Sequence, residues 1–194
     1  MAKPALTVYR TKRDFSKTAE PTGEHRVAPS PRLRFVVQKH AARQLHYDFR
    51  LEWQGVFKSW AVARGPSLDP ADKRLAVEVE DHPLDYGDFE GTIPKGEYGG
   101  GTVMIWDTGT YELVEGNDYK GFLHIHLSGA KLKGDWVLIK DKDKERNWYL
   151  MKVEDSMKPL SAKNENASAV SGRTMEQIAR DRDRNWHSNR VARV

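Results

Sequence analysis

Two histidines, an aspartate and an arginine fall within eleven positions of KHAARQLHYDFRL, residues 39–51: His40, His46, Asp48 and Arg50. Two imidazoles and a carboxylate with open positions form the kind of set that holds a divalent cation while leaving room for water or substrate. A guanidinium two residues further along offers the planar fork that grips phosphate oxygens in pairs. The plainer alternative, the solvated side of a strand, stays open on these residues alone.

A second group follows in VEVEDHPLDYGDFEG, where His82 and Tyr86 come just after a strand-like run, with Glu80 at its end. The proline at 83 biases His82 toward an extended backbone. The same loop also reads as an ordinary acidic connection. Residues 90–103, EGTIPKGEYGGGTV, have the glycine separation of a phosphate loop at Gly91 and Gly96. Glu97 and Tyr98 stand where that loop needs lysine and a hydroxyl, so the stretch reads as a tight turn entering the next strand. No K-x-D-G occurs, so the nucleotidyl-accepting lysine signature of DNA ligases is missing. There are no cysteines, which excludes thiol catalysis, disulfides and cysteine-held zinc.

The elements that must position these groups are strands. In HYDFRLEW, alternation puts Tyr47, Phe49, Leu51 and Trp53 on one face and His46, Asp48, Arg50 and Glu52 on the other. Same-face neighbours lie ~7 Å apart, close enough for His46 and Asp48 to lean toward one ion. His40 would be folded back by a helical turn or loop over AARQL. Eight more runs have this character: RFVVQ, VFKSWAVA, RLAVEVE, GTVMIW, GTYELV, FLHIHL, DWVLIK and NWYLMK. QG, GPSLDP, DTG, SGAKLKG and DKDKERN separate them as turn signals. Nine short strands with little helical periodicity predict a mainly β fold, a small antiparallel barrel or sandwich.

Three zones are expected: a basic N-terminal arm over 1–33, a β domain over 34–156, and a segment over 157–194 that begins like a linker. Met175, Ile178, Ala179, Arg182 and Trp186 then suggest a short amphipathic helix. The formal net charge of +4 is uneven. Residues 1–34 carry eight basic and three acidic side chains and residues 157–194 carry eight and four, against 16 and 21 in between. Such flanks suit a phosphate-rich partner, and equally suit solvated tails. No apolar run approaches a membrane span and the start lacks a secretory core, so a cytoplasmic protein is expected.

RFVVQKHAARQLHYDFRLE together with EDHPLDY and GTIPKGEYGGG is similar to the 3'-phosphoesterase domain of bacterial DNA ligase D, an end-healing component of non-homologous end joining. The likeness runs from about residue 12 to about residue 155, and GRTMEQIARDRDRNW resembles the connector to a ligase domain. The resemblance implies a β-barrel with the site in a groove on its outer surface, and a manganese ion held by His40, His46 and Asp48. It places Arg50, His82 and Tyr86 around the scissile phosphate, with Arg13, Asp14, Glu20, Gln38, Arg74 and Glu80 in support. Arg64 stands where lysine is expected, keeping the charge but not the geometry.

The implied activity removes a 3'-terminal ribonucleoside from a DNA primer-template and then the 3'-phosphate. His82 would serve as proton donor or as a further phosphate contact. The implied setting is a bacterial or archaeal nucleoid, with ATP-dependent ligase and polymerase domains and the end-binding protein Ku as partners, the chain being an excised domain or a stand-alone relative. The rival class is a non-catalytic barrel that grips DNA ends; it leaves the joint presence of the six groups unexplained.

Overall fold

A computed structural model describes residues 6–25, 27, 31–118, 120–154 and 156–181. Eight strands close on themselves in antiparallel order: β1 (Arg34–Ala41), β2 (Leu45–Trp53), β3 (Val56–Val62), β4 (Arg74–His82), β9 (Asn147–Lys152), β8 (Lys133–Lys140), β7 (Phe122–Gly129), β6 (Gly101–Asn117), and back to β1. A ninth, β5 (Gly91–Ile93), adds to the start of β6. Closure pairs each barrel strand on both sides, except that past Thr110 the far end of β6, to Asn117, pairs with β7 alone. Among the described residues no helix is long and apolar enough to cross a membrane.

Alternation fills the barrel. Phe49 and Leu51 of β2 point inward with Phe35 and Val37 of β1, Trp60 of β3, Trp136 of β8 and Trp148 of β9, all essentially inaccessible. Gln54 and Gly55 join β2 to β3 with φ of 48° and 84°. Those left-handed angles belong to the two-residue hairpin that the QG signal announces.

Two readings change. DTG is not a turn, because β6 runs through it as one strand of 17 residues, merging two expected ones. The register against β1 jumps between Val37↔Asp107 and Gln38↔Ile105, a bulge that bends the strand. Asp107, fully buried, accepts the backbone N–H groups of Lys131 (2.9 Å) and Leu132 (2.7 Å), so its carboxylate holds a neighbouring turn. A Cβ on Gly109 would lie 2.2 Å from the Ser128 carbonyl oxygen, so this glycine admits β7 at close range. The other change restores the strand number, since β5 comes from the segment read as a turn.

The polar face of β2 is also covered. Asp48, Arg50 and Glu52 are 7%, 2% and 2% exposed. Over this side lie the arm, with its short helix α1 (Thr7–Thr11), and a 3₁₀ turn, Leu84–Asp88. Tyr9, Tyr86, Phe89, Ile93 and Val103 form a second apolar cluster there. Beyond β9, α2 (Ala162–Asn166) is capped by Ser161, and α3 (Met175–Arg180) opens on a capping box of Thr174 and Gln177. Ile178 is buried in the main core; Arg182 and Trp186 of the expected helix lie outside the described residues. The linker-like stretch packs on the barrel, where the Trp106 indole donates to the Glu165 carbonyl at 3.0 Å.

Candidate active site

The β1–β2 hairpin sets the first three groups. His40 lies directly across from His46 and Gln38 across from Asp48. Residues 42–44 form a tight connection between the strands, so cross-strand pairing, not a helical turn, folds His40 back. The two imidazole centroids are 4.9 Å apart. Asp48 Oδ2 is 3.6 Å from His40 Nδ1 and its Oδ1 is 3.6 Å from His46 Nε2. One ligand atom from each residue falls within 4.8 Å of the other two.

Hydrogen bonds outside this trio fix the tautomers. His40 Nε2 faces the Gly99 carbonyl at 2.7 Å and His46 Nδ1 faces the Gln44 carbonyl at 3.0 Å. A nitrogen against a carbonyl carries the proton, which leaves His40 Nδ1 and His46 Nε2 as lone pairs turned toward Asp48. Burial alone would raise the Asp48 carboxyl, but the Arg50 charge, joined by N–H donation from the imidazoles when these take up a proton in place of a cation, holds it well below the usual carboxylate range. Asp48 in turn raises the His46 pKa, against burial. Two neutral nitrogens and one ionised oxygen fit a divalent transition ion.

Beside this trio, Arg50 is held on three sides. Its Nε donates to Gln38 Oε1 (2.7 Å) and its Nη1 to Ser59 Oγ (2.8 Å), while Nη2 lies 3.3 Å from Asp48 Oδ2. Its guanidinium lies 4.9 Å from the centre of the Tyr86 ring. Gln38 also donates to the carbonyls of Tyr86 (2.9 Å) and Phe89 (3.0 Å), tying the 3₁₀ turn to the hairpin.

The arm supplies the other wall. Tyr9 donates to the Pro21 carbonyl at 2.6 Å and stands edge-on to His82, with centroids 5.1 Å apart. This seats Arg13, whose Nε donates to Glu20 (2.9 Å), Nη1 to Glu80 (3.3 Å) and Nη2 to His82 Nε2 (3.3 Å). His82 Nδ1 faces the Glu80 carbonyl at 2.8 Å and therefore carries the proton. Burial, then the charges of Arg50 and Arg13, push the His82 pKa well below its usual value, so the ring is neutral with Nε2 as acceptor. Burial, reinforced by Glu20, raises the Tyr86 phenol well above its usual value. That phenol donates to Glu20 Oε1 at 3.0 Å.

A groove of about 260 Å³ opens between these walls, lined by His40, His46, Asp48, Arg50, His82, Tyr86, Arg13, Glu20 and Glu80. Gln38 lies beneath it. Asp14 faces solvent, where it accepts from Ser16 and pairs with Lys17 at 3.2 Å. Arg64 lines a different cavity of about 60 Å³ with Tyr47 and Trp106, and Arg74 pairs with Asp72 at 2.9 Å. Neither borders the groove. Ser59 and Tyr9 were not legible as site residues. Ser59 had one available signal, a small polar residue in a strand otherwise rich in bulky side chains; Tyr9 contacts groups more than 70 positions away.

A sequence model of the DNA Ligase D 3'-phosphoesterase domain matches residues 38–140. The Multifunctional non-homologous end joining protein LigD of Pseudomonas aeruginosa is 53% identical over 161 residues, covering 79% of this chain and 19% of that protein. Its namesake in Mycolicibacterium smegmatis is 43% identical over 159 residues, 77% of this chain and 21% of the relative. The Mycobacterium tuberculosis Multifunctional non-homologous end joining DNA repair protein LigD is 45% identical over 137 residues, 70% and 18% respectively. The chain thus spans about a fifth of the length of the relatives it matches. The matched segment includes the hairpin, the loop with His82 and Tyr86, and most of the barrel, and on that evidence the chain belongs to the DNA ligase D 3'-phosphoesterase domain family.

Proposed function

We propose that the chain is a manganese-dependent 3'-end-healing phosphoesterase of DNA repair. It removes a 3'-terminal ribonucleoside from a primer-template strand and then the remaining 3'-phosphate, leaving a 3'-hydroxyl that a ligase can join. The observation that carries this reading is the convergence of His40 Nδ1, His46 Nε2 and an Asp48 carboxylate beside the Arg50 guanidinium in one groove. A divalent ion bound there supplies a Lewis acid and a water of lowered pKa.

The remaining work falls to the side chains. Arg50, held rigid by Gln38 and Ser59, sets positive charge where negative charge spreads over the equatorial phosphate oxygens. Arg13, tied to Glu20 and Glu80, adds a second guanidinium on the facing wall. Tyr86 stays protonated and donates from its phenol, to Glu20 in the free protein and to a phosphate oxygen when one is present. His82 Nε2 faces the groove beside Arg13. Its neutral ring and its Nε2 lone pair support an acceptor role, toward Arg13 or a proton-bearing phosphate oxygen or water. Gln38, Glu20 and Glu80 position these groups; Asp14, Arg64 and Arg74 do not line the groove, so a supporting role for them would be exerted from outside it. In the cell the chain acts at DNA ends in the cytoplasm, with a polymerase, an ATP-dependent ligase and Ku.

The test is a 5'-labelled primer-template ending in one ribonucleotide, incubated with manganese and resolved on a gel. The expected products are first a strand shortened by one nucleoside with a 3'-phosphate, then the slower-moving 3'-hydroxyl strand. An unchanged strand, or full turnover in excess chelator, overturns the reading.

A further inference from the structure

A second cavity, of about 800 Å³, lies against the groove, and Ala42 and Ile93 line both. Its position follows from topology. β1 and β5 both run antiparallel to β6, so the chain leaves both at one end of the barrel, on either side of Gly101 and Thr102. The close framing requires glycine. Gly101 has φ of 145°, and a Cβ there would stand 2.2 Å from the Ala41 carbonyl oxygen.

Two cations stand on the walls: Arg43, just past β1, and Lys95, just past β5. Both are exposed, and neither forms an ion pair or hydrogen bond with another described residue. Across the groove the pattern is opposite, since Lys12, Arg13 and Lys17 are neutralised by Glu80, Glu20 and Asp14. No carboxylate lines the second cavity. Thr92 and Thr102, whose hydroxyls are 3.3 Å apart, add neutral donors to its wall.

We infer that this cavity is the track of the polynucleotide strand whose 3' end enters the groove, with Arg43 and Lys95 contacting backbone phosphates upstream of the scissile one. The inference rests on the functional reading above and adds the residues that hold the strand. A phosphodiester backbone brings a negative charge with each nucleotide, and uncommitted cations beside a phosphate-processing groove complement it. Contacts of this kind position a strand without reading its bases, so the track accepts any sequence.

The test compares the full chain with Arg43→Ala/Lys95→Ala and with the charge-keeping Arg43→Lys/Lys95→Arg. Binding of a fluorescein-labelled DNA strand with a 3'-phosphate is read by anisotropy across a salt series, phosphate release gives kcat and KM, and manganese affinity is titrated separately. The alanine pair should bind DNA about 10-fold more weakly near 0.1 M salt, with a salt slope shallower by about 1.4 to 1.8, as two lost phosphate contacts require. KM should rise in step while kcat at saturation and manganese affinity hold. The charge-keeping pair should restore binding. An unchanged KM and salt slope overturns the track, as does an equal loss of kcat and manganese affinity, which would show the two turns merely supporting the metal trio. If the unaltered chain releases no phosphate, the functional reading falls, and the anisotropy series still decides whether the strand lies here.

Discussion

Replacing Asp48 with alanine should cost the metal-free protein about 3 kcal/mol of stability as well as its cation site. Asp48 and Arg50 are 7% and 2% exposed, with Nη2 and Oδ2 3.3 Å apart. At an effective dielectric near 20 their attraction is about 5 kcal/mol. Part of it is offset by the desolvation that Asp48 no longer suffers, and Arg50 keeps Gln38 and Ser59. What remains is a buried guanidinium without its counter-ion, at the lower end of the ~3 to 5 kcal/mol seen when one partner of a buried pair is removed. Alternation alone would make this change neutral, because it turns Asp48 away from the barrel core. The assay is denaturant unfolding in chelator, beside Phe49→Ala, which should lose ~3 to 5 kcal/mol through the cavity it leaves. The sign with pH adds a second check. The folded pKa of Asp48 is depressed, so its contribution is present above the unfolded value near ~3.9 and is lost as pH falls through the folded one. The raised pKa of His46 acts oppositely, contributing below ~6.5 and fading as pH rises through its folded value. The gap between wild type and Asp48→Ala should therefore widen slightly from pH 7 to 5 and close below pH ~4. A gap under ~1 kcal/mol at pH 7, or one that grows below pH 4, refutes the reasoning.

Because the trio offers two nitrogens and one oxygen, calorimetric titration should show manganese binding more tightly than magnesium, and His46→Ala should abolish the difference. Tyr9→Ala should lose ~3 to 5 kcal/mol by the denaturant assay and depress turnover with it, since the ring that fills the outer cluster also seats Arg13. His82 is buried neutral with a depressed pKa, so it contributes stability above its unfolded value near ~6.5 that is lost as pH falls. In His82→Gln the stability-versus-pH curve below pH 6.5 should be flatter, by up to about 1.4 kcal/mol per pH unit.

The inner face of the fold was legible because its signals are local. Alternation in HYDFRLEW and the QG turn each report on neighbours two residues away, and both are where the sequence put them. His40 opposite His46 was legible as a pair but not as a geometry, since five intervening residues suit either a helical turn or a loop, and it is the loop that forms. The covering of the second face was not legible. Period-two alternation says that two faces exist, not what lies on each, and Tyr9 and Arg13 reach it from far along the chain. DTG misled for a related reason: Asp107 and Gly109 have turn chemistry but serve a neighbouring turn and a neighbouring strand. Arg64 and Arg74 entered by likeness alone, and nothing in their own surroundings draws them to the groove.

The three candidate cation ligands all come from one hairpin, from His40 to Asp48, whereas Arg13 and His82 must cross much longer stretches of chain to join them. A hairpin closes in about 1 to 10 μs, before long-range pairing has closed a barrel. An ion can therefore be captured by a chain that is still largely unfolded. Such capture would favour one strand register early and would place part of the ion's binding energy in the unfolded ensemble, so the gain in melting temperature on adding metal should fall short of what the native affinity implies.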